Sequence, residues 1–95
     1  MLRFAVLSLA LLPVPALAAG FQAETSSRPA QARFVARDSI WRCTENSCVS
    51  TNETATRPAI VCAALARQVG ALRSFSANGR AFGAEELQAC NARAR

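Results

Sequence analysis

Histidine, lysine and tyrosine are absent from the 95 residues, and there is one tryptophan. Without imidazole, amine or phenol the chain lacks the commonest general bases and the nucleophile of Schiff-base chemistry, and no evident partner activates its serines. Zinc would have to be held without histidine. Paired carboxylates are missing too. Glu85 and Glu86 are adjacent in what reads as a helix, so their side chains diverge by about 100° and cannot flank a substrate. Asp38, Glu45 and Glu53 read as turn and surface residues. These absences predict a protein that is not an enzyme, with no cofactor and no metal.

Long apolar runs are also scarce. The longest, Phe4 to Leu12, follows Arg3 and is broken by Pro13 and Pro15 before the small triplet Ala16, Leu17, Ala18. A bilayer span needs about 20 apolar residues. The three-part order instead matches a secretory signal peptide over residues 1–18, cut after Ala18. The residue directly after that point is Ala19, not a lipid-carrying cysteine, so the expectation is an exported chain, in a periplasm, with no transmembrane segment after cleavage. The sequon Asn52-Glu53-Thr54 is expected to stay unmodified there.

What remains suffices for one small domain, and a chain of that size usually depends on staples or partners. All four cysteines, Cys43, Cys48, Cys62 and Cys90, lie in this part. An even count in a short exported chain reads as a disulfide framework. The net charge is +5, and every cation is arginine. Guanidinium suits carboxylate and phosphate partners, but the arginines are scattered along the chain, and a merely solvated surface accounts for them as well. Nucleic acid is not expected as a partner of an exported chain.

Along the chain, residues 19–31 carry little periodicity and read as a flexible lead-in, leaving 32–95 as the domain. The segment "RFVARDSIWRC" (33–43) is rich in β-branched and aromatic residues, and "CVST" resumes at Cys48, so a hairpin is expected with a loop over 44–47. That register sets Cys43 opposite Cys48, close enough to bond. The alternatives are a redox pair, which usually wants Cys-x-x-Cys at a helix start, and a metal site; both fit the spacing less well than a staple. "TRPAIVCAALARQVG" predicts the strongest helix, with Pro58 at its first position, Gly70 as its stop, and Val61, Cys62, Leu65, Val69 and Leu72 as its apolar stripe. Asn78-Gly79 signals a two-residue turn that would pair Ala77 with Arg80 and set Phe75 opposite Phe82. A last helix begins near Glu85 and Glu86 and carries Leu87 and Cys90 on one face, with Arg93 and Arg95 near its end. With the first two cysteines matched, Cys62 pairs with Cys90 by elimination. The expected fold is α+β: a small disulfide-stapled domain of two β-hairpins, each followed by an α-helix, with both helices on one face of the sheet.

"WRC" at 41–43, Cys48, "RPAIVCAALARQVG" at 57–70, "LRSF" at 72–75, "NG" at 78–79 and "CNARAR" at 90–95 resemble a family of short exported bacterial proteins of unknown function. The resemblance covers the chain from about Ser39 onward. It implies a periplasmic setting and the four cysteines as a shared framework, and it carries no catalytic residue or ligand with it.

Three functional classes follow. The first is a non-catalytic interaction module of the bacterial envelope, contacting a protein or cell-wall component through the exposed sheet or through Trp41 with its neighbour Arg42. Trp41 has a competing and preferred reading, packing on the Cys43–Cys48 bridge from the same strand face. The second is a binder of anionic surfaces through arginines, and the third a thiol-disulfide enzyme.

Overall fold

The computed structural model describes residues 20–51 and 54–94. The proposed signal segment and most of the Asn52-Glu53-Thr54 sequon therefore lie outside the described residues. Six strands and two helices follow in the order β1 Phe21–Thr25, β2 Arg33–Ala36, β3 Ser39–Thr44, β4 Ser47–Ser50, α1 Pro58–Val69, β5 Leu72–Ala77, β6 Arg80–Ala81 and α2 Ala84–Asn91. The strands form one antiparallel sheet ordered β2-β3-β4-β1-β5-β6. The coarse expectation of a small α+β domain with two disulfides holds.

Its details differ in three places. The stretch expected as a flexible lead-in contains a strand: β1 lies inside the sheet, paired with β4 on one side and β5 on the other. The sheet thus includes Phe21–Thr25, upstream of the boundary expected at residue 32. Phe21, Ala23 and Thr25 are buried and alternate with exposed Gln22 and Glu24. This short strand finds its partners more than 20 residues away, so only tertiary pairing stabilises it. Second, residues 33–43 are two strands joined by a tight turn at Arg37-Asp38, where Ala36 pairs with Ser39. Arg37 takes the turn with φ 60°, a left-handed conformation that arginine rarely adopts and that the sequence does not advertise. Third, the β3–β4 loop is shorter than expected, because Thr44 pairs with Ser47 and only Glu45 and Asn46 turn the chain. Instead of two hairpins, the sheet holds a lone strand, a three-strand meander and a hairpin.

The registers that set the cysteines and phenylalanines are as expected. Cys43 pairs with Cys48 and is bonded to it, with Cα atoms 4.0 Å apart. Asn78 (φ 52°) and Gly79 (φ 84°) form the β5–β6 turn, and Ala77 pairs with Arg80. The Phe82 N–H donates to the Phe75 carbonyl, and their rings lie 4.7 Å apart.

One face of the sheet carries the core. Phe21 has its ring 6.2 Å from Trp41 and 5.9 Å from Phe75, so aromatic rings run from β3 across β1 to β5 and on to Phe82. Over them α1 buries Val61, Cys62, Leu65 and Ala66. Strict alternation in β5 would turn Leu72 and Phe75 to opposite faces. The register between β1 and β5 shifts instead, from Thr25 opposite Leu72 to Glu24 opposite Ser74. Arg73 is the extra residue of this bulge, and the bulge returns both Leu72 and Phe75 to the core.

Candidate functional site

Helix α1 starts after Arg57, whose extended backbone (φ −64°, ψ 145°) suits a residue before proline. Its buried stripe faces the sheet, and the neighbouring stripe of Ala59, Ile60, Ala63 and Ala64 faces α2 across an open groove of about 740 Å³. Phe82, Ala89 and the buried Cys90 continue this apolar floor on the far side.

Three devices hold α2 in place as the second wall. The Cys62–Cys90 disulfide ties the helices with Cα atoms 5.8 Å apart. Asn91 accepts a hydrogen bond from the Leu72 N–H (2.8 Å) and donates to the Leu72 carbonyl (2.9 Å), so the end of α2 is hydrogen-bonded to the start of β5. At the other end Glu86 reaches back to accept from the Gly83 N–H at 2.9 Å, satisfying one of the helix's first amides.

The rim is cationic. Arg37 comes from the β2–β3 turn, Arg57 and Arg67 from the two ends of α1, Arg80 from the start of β6 and Arg93 from the chain just past α2. Glu86 is the one carboxylate among the groove residues, and it lies 3.6 Å from the Arg80 guanidinium. Arg57, Arg67 and Arg93 make no ion pair among the described residues. The sequence scatters these five cations from 37 to 93; the fold gathers them around one apolar floor.

Asp38 anchors the turn that supplies Arg37. The Thr54 hydroxyl donates to its carboxylate at 2.9 Å and the Thr56 hydroxyl at 3.0 Å. These two bonds, Thr54 first, hold the Asp38 carboxyl below its ordinary range, and the neighbouring Arg37 charge adds to them. The approach to α1 is thereby fixed to the β2–β3 turn.

Of the candidate site residues singled out from sequence, Cys90 lines the groove and the others lie elsewhere. Trp41, read as a possible surface contact, is 0% exposed and belongs to the core. Consecutive strand residues point to opposite faces, so Trp41 and Arg42 cannot form one contact surface. Neither the Trp41 indole N–H nor the buried Ser39 hydroxyl has a hydrogen-bond partner among the described residues, and we find no physical reason for either. Arg42 lies on the open face of the sheet, paired with Arg33 on one side and Val49 on the other. Val35 and Ile40, 61% and 59% exposed, pair on the same face. Cys43, Cys48, Cys62 and Cys90 are all bonded and buried in the core. Among the described residues no cluster of His, Cys, Asp or Glu could hold a metal, and no helix is long and apolar enough to cross a membrane.

The model of a family of unknown function, DUF8200, matches residues 5–92. The chain belongs to that family. No curated protein and no solved structure matches this DUF8200 member. Two disulfides in so small a DUF8200 domain are those of an oxidising compartment.

Proposed function

We propose that this DUF8200 protein is a non-catalytic binding module of the bacterial envelope, exported to the periplasm through residues 1–18, and that it holds an anionic partner in the α1–α2 groove. The partner is an envelope protein or a cell-wall component. The observation that carries this reading is the convergence of five arginines on a groove that contains a single carboxylate. Cations gathered around one groove attract anions more strongly than the same charges spread over the surface. Burial of all four sulfurs argues against a thiol-disulfide enzyme, whose attacking thiolate must be reachable.

Titration of the isotope-labelled protein with poly-L-glutamate, followed by amide chemical shifts, tests the assignment. The expected perturbations fall on Arg57, Arg67, Arg93 and their neighbours and shrink as salt is raised. Perturbations confined to Arg33 and Arg42 on the open sheet face, or none at all, would overturn it.

A further inference from the structure

The spacing of the rim charges narrows the partner. Arg57 and Arg67 are ten residues apart along α1, which is about 15 Å at the rise of an α-helix. A lone phosphate or carboxylate headgroup is bound by one or two guanidinium groups at hydrogen-bonding distance. It would leave the cations at one end of the groove unanswered. A ligand that meets them all carries several negative charges spread over three helical turns.

The floor constrains its shape. Ala59 and Ala63, one turn apart on α1, line the groove together with Ala89 of α2. Small side chains let a third rod approach two helices closely, and the ridge of an incoming helix can seat between them. Ile60 and Phe82 supply the larger apolar surface, Ile60 being 37% exposed. Cations stand on both walls of this strip, Arg57 and Arg67 on one side and Arg80 and Arg93 on the other. The complement is an apolar stripe flanked on both sides by carboxylates at i, i+3 and i+4 spacing. A lipid bilayer fits the shape poorly. The apolar residues line a groove between two helices, whereas a membrane-binding surface presents its apolar residues outward.

We propose that the α1–α2 groove is a docking site for an acidic amphipathic helix of a partner protein. The inference rests on the anion-binding role of the groove and adds the helical form of the ligand.

Three probes test it by fluorescence anisotropy or co-sedimentation. One is a labelled synthetic peptide of about four helical turns, with leucines on one face and glutamates flanking them. The second has the same composition scrambled so that no apolar stripe forms, and the third is vesicles of phosphatidylglycerol. The amphipathic peptide is expected to bind about tenfold or more tighter than the scrambled one. The double variant Arg67→Glu with Arg93→Glu should weaken its binding by a similar factor, while Arg33→Glu with Arg42→Glu on the open sheet face should leave it unchanged. Retention of the native circular dichroism spectrum and of both disulfides checks that the variants are folded. Restored binding of the Arg67→Glu, Arg93→Glu variant to a peptide with lysine in place of glutamate would exclude a folding defect as the cause. Equal binding of amphipathic and scrambled peptides at the groove would overturn the helical ligand and leave the anion site standing. Groove-dependent binding of vesicles without the peptide would overturn it in favour of a membrane. If no probe responds to the groove variants, the helical ligand and the anion site both fail.

Discussion

Asp38 links charge to structure through two hydroxyls. Thr54 and Thr56 donate to its ionised form and hold its folded-state carboxyl below the unfolded value of about 3.9. A depressed carboxyl contributes stability that is complete above the unfolded value and is lost as pH falls through the folded one. The wild-type protein should therefore exceed Asp38→Asn in urea midpoint at neutral pH, and the two should converge as acid protonates Asp38. The side chain is exposed, so solvent screening keeps the difference small. A constant gap between the two midpoints through the acid range would remove the carboxylate from this role.

Helix α1 opens on an unusual residue. Its N-cap is Arg57, which makes no side-chain capping bond, where serine, threonine, aspartate or asparagine would accept from an early helix N–H. Arg57 is also one of the groove cations. Substitution Arg57→Ser should stabilise the protein by about 1 kcal/mol in denaturant melts and at the same time weaken poly-L-glutamate binding. Gain of stability with unchanged binding would leave the capping argument intact and take Arg57 out of the site. The β2–β3 and β3–β4 turns show a similar disregard for local preference, since Arg37 and Glu45 occupy positive φ at 60° and 58°. Such positions persist only where the surrounding sheet over-determines them.

For the molecule as a whole, the two staples close loops of different length, with sequence separations of 5 and 28. On the chain-entropy model the short loop contributes about 2 kcal/mol and the long one about 3.5 kcal/mol. Replacing Cys62 and Cys90 by serine should accordingly lower stability more than replacing Cys43 and Cys48. Only the first pair joins the two walls of the groove, so that variant should also bind poly-L-glutamate more weakly while still folded. Urea unfolding at neutral pH, paired with a binding titration, checks both halves. A larger loss of stability from the Cys43 and Cys48 replacement would show that strain or residual structure, rather than loop closure, governs the staples.

Local chemistry made several features legible in advance. Pro58 and Gly70 bracket α1, Asn78-Gly79 sets the β5–β6 turn, and the hairpin register sets Cys43 against Cys48, because each depends on residues within a few positions of one another. The Cys62–Cys90 bridge then followed by elimination. β1 was not legible: five residues with one aromatic form a strand only because β4 and β5, far along the chain, leave a gap with matching hydrogen bonds. The arginine groove was hidden for the same reason. Positions 37, 57, 67, 80 and 93 share no period, and no local rule brings a β-turn, two helix ends, an edge strand and a C-terminal segment to one rim. Sequence by itself determined the helices, a tight turn and the staples, whose free energies are local or covalent. Tertiary structure alone decided which strand fills the middle of the sheet and where the positive charge collects, because long-range pairing and the docking of α2 on α1 govern both.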